Sequence, residues 1–243
     1  MNTDKPITLS VVMPAYNEGQ HIMDNLLTTS RILGSFLHRY EIIAVNDGSS
    51  DNTGQLIAEA SQVDRHIIPI SYADNHGKGY AITTGIKSSH GIYIAFLDSD
   101  LELDPHLLKS FIRQMKETDS DIVIGSKLHP ESQLNYPLSR KIMSFGYYII
   151  LKLLFHLNVH DTQTGIKLFK SEIIKPIACE LTVSGYAFDI EILAAAGKQG
   201  YSISEAPITL NYSRDDSHNN RRIKLHDIWK VFTDTIFIWK KYR

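Results

Sequence analysis

Two carboxylates one residue apart, Asp98 and Asp100, close the apolar run Tyr93-Ile94-Ala95-Phe96-Leu97. Such a run suits a buried strand, and charges at its end need a cation, donor hydrogen bonds or water to offset them. Carboxylate oxygens are hard ligands, so this pair can hold Mg2+ or Mn2+ against a phosphate. The same residues also suit a solvated turn, where Asp is common. Taken alone, the spacing leaves both readings open.

Two further acidic turns accompany them. An apolar run ending at Met13 enters Pro14-Ala15-Tyr16-Asn17-Glu18, and another ending at Val45 enters Asn46-Asp47-Gly48-Ser49-Ser50-Asp51. Glu18 and Asp47 are placed to accept hydrogen bonds from a base or ribose, whereas Ser50 or Asp51 reads as a helix cap. The segment Asn75-His76-Gly77-Lys78-Gly79 has the look of a phosphate loop but lacks the G-x-x-x-x-G-K-[ST] spacing. No G-x-G-x-x-G follows the first apolar run, so neither a P-loop ATPase nor a dinucleotide dehydrogenase is supported. Gly77, Gly79 and Gly85 fit a helix packed closely on the Asp98 strand.

The elements that must position these residues follow from periodicity. β-branched runs predict strands over 7–13, 41–45, 66–71, 92–98 and 121–125. Between them, spacings of three and four predict helices over 19–37, 52–62, 77–88 and 105–117. This alternation predicts an α/β fold with a central, mainly parallel sheet flanked by helices, and ligands in such sheets gather beyond the carboxyl ends of the strands. An irregular region over 129–137 follows, then a hydrophobic stretch over 142–157. Lys152 and His156 interrupt that stretch, which falls short of the ~20 residues a spanning helix needs. A second short α/β section has strands predicted at 165–169 and 202–205 around a helix over 187–198.

The chain divides on this reading into a catalytic domain over 1–213 and a basic loop with an amphipathic helix over 214–243. In that helix Leu225, Ile228, Trp229, Phe232, Ile236 and Trp239 share a face, and Lys240, Lys241 and Arg243 follow. The face either docks on the domain or lies at a membrane surface, with Trp at headgroup level and cations meeting anionic lipid.

With 243 residues and a formal charge of −2, the chain is long enough for one large α/β domain and lacks the basic field of a general nucleic-acid binder. Its single cysteine, Cys179, excludes an internal disulfide framework. The polar run Met1–Pro6 is not the apolar stretch of a signal peptide. The expected setting is cytoplasmic and peripheral on the cytoplasmic membrane face, with homo-oligomerisation left open.

Taken together, Val11–Glu18, Val45–Asp51, Asn75–Gly79 and Asp98-Ser99-Asp100 resemble, in order and spacing, the inverting glycosyltransferases of family 2, which have the GT-A fold. The resemblance covers roughly residues 7–213 and is closest to the polyprenyl-phosphate sugar synthases, such as the dolichyl-phosphate mannose and glucose synthases. Gly125-Ser126-Lys127 stands where those enzymes usually carry Gly-Ser-Arg, and Ser139-Arg140-Lys141 is similar to their arginine before a membrane-proximal helix. The segments Asp161–Phe169 and Gly185–Glu191 resemble those of dolichyl-phosphate glucose synthases. The family's last basic motif departs here to Arg214–Lys224, leaving its phosphate-contacting residue open among Arg214, Arg221, Arg222 and Lys224.

The resemblance implies transfer of a hexose from UDP-glucose or GDP-mannose to a dolichyl or undecaprenyl phosphate. It implies that Asp98, Asp100 and, more weakly, Glu102 hold Mg2+ or Mn2+, and that Pro14, Tyr16, Glu18, Asp47 and Lys78 contact the donor. Lys127 and Arg140 are expected to grip the acceptor phosphate, Arg214 or Arg222 to close over the donor, and Asp161 and Gln163 to shape the sugar pocket. Asp189 and Glu191 read as acceptor-side support or as ion-pair partners of Lys127, Arg140 or Lys167. Three alternatives stand beside this one: a family member acting on a saccharide or protein hydroxyl, with Asp189 or Glu191 as base; a sugar-nucleotide pyrophosphorylase, whose early Gly-rich loop is missing; and a non-catalytic nucleotide-sugar binding module.

Overall fold

The computed structural model describes residues 6–135, 151–152, 154–155, 157, 159–211 and 225–243. Arg140, Arg214, Arg221, Arg222 and Lys224 lie outside them, as does much of the 142–157 stretch.

The first half alternates as its periodicity dictates: β1 (Leu9–Ala15), α1 (Ile22–Gly34), β2 (Tyr40–Asp47), α2 (Thr53–Val63), β3 (Ile67–Tyr72), α3 (Lys78–Ser88), β4 (Tyr93–Leu97), α4 (Leu107–Thr118) and β5 (Ile122–Ser126). The second half adds β6 (Gln133–Asn135), β7 (Ile166–Lys170), α5 (Ser171–Glu180), α6 (Phe188–Lys198), β8 (Ile203–Pro207), β9 (Thr209–Asn211) and α7 (Leu225–Tyr242). The central sheet has seven strands in the order β3-β2-β1-β4-β7-β5-β8, and β6 pairs with β9 in a small second sheet.

β2 is buried along its whole length because helices cover both faces of the sheet. Alternate residues of β1 feed two cores: Leu9, Val11 and Met13 pack with Ile22, Leu26 and Leu33 of α1 and Leu108 and Phe111 of α4. Val12 faces the other way, towards Ile82 and Ile86 of α3, Ile174 and Ile177 of α5, and Phe188 and Ile192 of α6. Gly85 lets α3 settle there, but on β1 rather than on the Asp98 strand: a Cβ at Gly85 would stand 2.3 Å from Val12 Cγ1. Gly79 serves a different approach, since its Cβ would meet Phe188 Cβ at 2.7 Å and Val183 O at 2.8 Å.

β1, β2, β3 and β4 run parallel, with β2 and β3 on one side of β1 and β4 on the other. This reversal in strand order opens a crevice beyond the carboxyl ends of β1 and β4. The later α/β section is not a separate unit. β7 enters the same sheet between β4 and β5, antiparallel to both, with Leu97 opposite Ile166 and Ile124 opposite Lys167. α5 is an addition to the sequence reading, carrying Pro176 inside a helix whose Ile173, Ile174 and Ile177 are buried.

The terminal helix α7 packs on α6, burying Thr235 and Ile238. Trp229, Phe232 and Ile236 of the predicted stripe are exposed instead, together with Phe237. The helix is apolar on two sides, and the aromatic side faces outward. Among the described residues no helix is long and apolar enough to cross a membrane.

Candidate active site

A cleft of about 470 Å³ opens at the carboxyl ends of β1, β2 and β4. Pro14, Ala15, Tyr16 and Glu18 line it after β1, Asp47 at the end of β2, and Asn75, Gly77 and Lys78 where α3 begins. Asp98, Ser99 and Asp100 form its floor after β4. The far wall is Gly185 and Tyr186 before α6 and Lys230, Val231 and Asp234 of α7. The donor-side residues expected from sequence therefore converge on one cavity.

Asp98 accepts an ion pair from Lys78 Nζ at 2.5 Å. Burial disfavours the Lys78 charge, but Asp98, Asp189 and Asp100 outweigh it and raise the pKa above the ordinary lysine value. Asp100 is fixed through the backbone, because its Oδ1 accepts the Glu102 N–H at 3.0 Å. The intervening Leu101 has φ 54°, a left-handed conformation uncommon for a residue with a side chain. Glu102 supplies a backbone donor to this turn, and its side chain is not among the residues lining the cleft. Among the described residues no three His, Cys, Asp or Glu side chains cluster to hold a metal. Two carboxylates remain, which fits a divalent cation that takes its other oxygens from a diphosphate and water.

Asp47 lines the cleft, yet its carboxylate is already engaged. Oδ1 accepts Tyr72 Oη–H at 2.8 Å and His76 N–H at 2.9 Å, while Oδ2 accepts Asn75 Nδ2–H and Gly77 N–H, each at 2.9 Å. These donors hold the 75–77 turn that delivers Lys78, so Asp47 organises that turn while lining the cleft. Asp51 stabilises the entry to α2 as expected of a cap: Oδ1 accepts Thr53 N–H at 3.0 Å. Its other oxygen accepts Gly19 N–H at 3.0 Å, joining the loop after β1 to the loop after β2.

The antiparallel course of β7 brings the 161–165 segment beside Asp98. A Cβ on Gly165 would lie 2.1 Å from Asp98 Oδ2, so only glycine lets that backbone pass. Asp161 is buried and shapes the segment itself, accepting Gln163 N–H at 3.1 Å, Thr164 Oγ1–H at 2.6 Å and Lys127 N–H at 3.0 Å. Lys127 Nζ also lies 3.5 Å from Asp161, which places that cation beside the segment and off the cleft lining. Gln163 is exposed.

Asp189 and Glu191 stand behind the far wall. Asp189 pairs at 2.6 Å with the buried Lys167, one of the partners left open by the sequence. Burial pushes the Asp189 pKa up, with Lys167 and Lys78 opposing. Glu191 is buried and accepts Thr182 N–H at 3.0 Å, Val183 N–H at 2.8 Å and Lys241 Nζ–H at 2.8 Å. This last contact clamps α7 to α6. Sequence reasoning missed Lys230 and Asp234, because the aromatic stripe of α7 drew attention to its opposite face.

Residues 10–177 match the model of glycosyl transferase family 2. The chain is 33% identical to dolichyl-phosphate beta-glucosyltransferase ALG5A of Trichomonas vaginalis, a similarity covering 96% of this chain and 73% of that protein. It is 31% identical to the dolichyl-phosphate beta-glucosyltransferase of Dictyostelium discoideum over 96% of this chain and 77% of that one. Among solved structures, glucosyl-3-phosphoglycerate synthase of Mycobacterium tuberculosis in complex with Mn2+, UDP and phosphoglyceric acid has TM-score 0.70 at 17% identity, covering 97% of this chain and 78% of that chain. That likeness shows the GT-A fold implied by the sequence motifs. With the family's matched residues spanning the sheet and cleft just described, the chain belongs to glycosyltransferase family 2.

Proposed function

We propose that the chain is an inverting hexosyltransferase that moves glucose from UDP-glucose to a polyprenyl phosphate of the dolichyl type. The observation that carries this reading is the similarity, along 96% of the chain in each case, to two proteins named as dolichyl-phosphate beta-glucosyltransferases.

The cleft chemistry supports it. Asp98 and Asp100 would hold Mg2+ or Mn2+, which supplies charge neutralisation on the leaving nucleoside diphosphate. An oxygen of the acceptor phosphate attacks the anomeric carbon from the face opposite the diphosphate, whose bond to that carbon breaks with its electron pair. Lys78 stands at the diphosphate end of the cleft, and Tyr16 and Glu18 border the nucleotide side. A phosphate acceptor is largely ionised near neutral pH and needs no general base. Asp189 and Glu191 are buried and paired with Lys167 and Lys241, and neither lines the cleft, which suits that requirement. Lys127 and Arg140 remain assigned to the acceptor side, and Arg214 or Arg222 to closure over the donor.

One observation favours a hydroxyl acceptor instead. Asp234 is a carboxylate on the cleft lining, the type of group a hydroxyl acceptor would need as its base, and burial raises its pKa against the opposing charge of Lys230.

The test is to follow nucleotide release from UDP-glucose, GDP-mannose and UDP-N-acetylglucosamine, with and without a short polyprenyl phosphate, in Mg2+ or Mn2+. Lipid-dependent UDP release is expected, and its absence with every donor overturns the proposal. Asp234→Asn separates the two acceptors: a loss beyond about 10²-fold points to a base and a hydroxyl, a smaller loss to a phosphate.

A further inference from the structure

We propose that Lys230, on the inner side of α7, receives the acceptor phosphate, while the outer side of the same helix rests on the anionic bilayer that holds the acceptor's chain. This inference rests on the phosphate-acceptor reading above and adds a cleft-lining cation to the acceptor-side residues that reading assigns.

The cleft is lined by two lysines among the described residues, Lys78 and Lys230. Lys78 is committed to Asp98 at 2.5 Å. Lys127, the residue expected at the acceptor, stands 3.5 Å from Asp161 and off the cleft lining. Lys230 is exposed on the wall facing Asp98 and Asp100. Its chain lies over the loop before α6: a Cβ at Gly185 would be 3.8 Å from Lys230 Cε and 3.9 Å from Nζ. A phosphate approaching a sugar held at Asp98 and Asp100 from that wall needs a cation there to offset its charge, and Lys230 is a lysine on that wall, with Asp234 beside it on the same helix.

The helix that carries Lys230 is firmly attached. Lys241 Nζ donates to Glu191 at 2.8 Å and to Glu180 O at 2.6 Å, and Ile238 is fully buried. Its opposite side is different in kind. Trp229 is 67% exposed and packs against the exposed Phe232 with ring centroids 5.9 Å apart. Lys240 is exposed one turn further along, and the Arg243 guanidinium lies 5.1 Å from the Trp239 ring. Aromatic side chains flanked by cations fit the headgroup level of an anionic membrane, where apolar area and charge both contribute. Trp229 and Lys230 are consecutive, so the bilayer surface and the cleft mouth meet at a single turn. A prenyl chain then stays in lipid while its phosphate reaches the cleft.

Lys230→Met and Lys230→Arg are compared with the full chain, using UDP-glucose and a short, detergent-free polyprenyl phosphate. For Lys230→Met the acceptor KM is expected to rise by about tenfold or more while the donor KM changes less than about twofold, and Lys230→Arg is expected to recover most of the loss. An unchanged acceptor KM, with the wild-type chain active, overturns the Lys230 assignment alone. A rise in donor KM instead places Lys230 on the donor diphosphate and also overturns it. A wild-type chain that transfers nothing to any polyprenyl phosphate removes the functional reading and this inference together. For the outer face, Trp229→Ser with Phe232→Ser is tested by flotation with phosphatidylserine-containing vesicles. Binding is expected to fall at least about tenfold with soluble-acceptor kinetics kept, and unchanged flotation overturns the membrane contact.

Discussion

Lys78, the first residue of α3, is ion-paired with Asp98, the first residue beyond β4, at 2.5 Å. The start of the helix that joins β3 to β4 thus meets the end of β4 at one carboxylate. Asp98 is partly exposed in this pair and lines the cleft.

Asp98→Asn and Asp100→Asn are expected to lower donor turnover by about 10²–10³-fold, in the range seen when one stabilising contact to a developing charge is lost. Thermal melting is expected to change little, since both residues line an open cleft. Chelation with EDTA is expected to stop nucleotide release in the wild type, and added Mn2+ or Mg2+ to restore it. Chelator-resistant release would exclude the metal role of the pair.

Gly165→Ala tests how closely β7 must pass the carboxylate. The added methyl would occupy a point 2.1 Å from Asp98 Oδ2, so Asp98 or the 161–165 backbone has to shift. A displacement near 1 Å at a reacting centre costs up to about 10²-fold in rate. The expected result is a loss of that order in kcat with a folded chain by circular dichroism; full activity would show that the segment moves freely.

Lys167 and Asp189 form a buried pair at 2.6 Å, with Lys167 Nζ also donating to Thr164 O at 2.7 Å. Lys167→Met leaves a carboxylate in the interior and is expected to destabilise by about 3–5 kcal/mol. Combining it with Asp189→Leu is expected to recover much of that loss, because the uncompensated charge is gone. Urea denaturation of the two single variants and the double variant measures the coupling, and simple additivity would show that the pair does not interact.

Acid is expected to loosen α7 before the sheet. Burial raises the Glu191 pKa, but the donors Lys241, Thr182 and Val183 outweigh it and hold the carboxyl below its ordinary 4.5. A group lowered by folding contributes stability that is complete above the ordinary value and is lost as pH falls through the lowered one. Lys241 is shifted up from 10.5: burial opposes its charge, and the Glu191 carboxylate prevails. Its share is complete below 10.5 and is lost as pH rises through the raised value. Between these limits the clamp is intact. Glu191→Gln is expected to cost about 1–3 kcal/mol at neutral pH and to flatten the acid limb of the melting curve. An unchanged acid limb would place that sensitivity elsewhere.

Much of this was legible in the chain. The five strands and four helices up to Ser126 alternate in periodicity, and Asp98 and Asp100 stand out because charge follows a buried run. The place of β7 was not legible, because an apolar run such as Ile166–Lys170 carries no mark of its neighbour or direction. Consequently the 161–165 segment could be recognised by resemblance but not set beside Asp98. The partners of Asp47 were hidden for a related reason: the carboxylate was visible, whereas its donors come from residues 72–77, brought to it by the β2–β3 pairing. In α7 the aromatic stripe masked the Val231, Thr235 and Ile238 side, and with it Lys230 and Asp234.

The insertion of β7 also bears on how the chain is made. β4 and β5 are separated in the sheet by a strand synthesised after both, so the nascent chain holds one edge of β4 unpaired until residue 170 has emerged. An apolar strand with an open edge is a template for another chain. Fragments ending between β5 and β7 are therefore expected to aggregate on translation, while those extending through α5 gain a closed sheet centre. Fractionating a series of truncated products by sedimentation would reveal that step. The strand that carries the backbone past Asp98 is, on this view, also the one that ends the chain's exposure to misassembly.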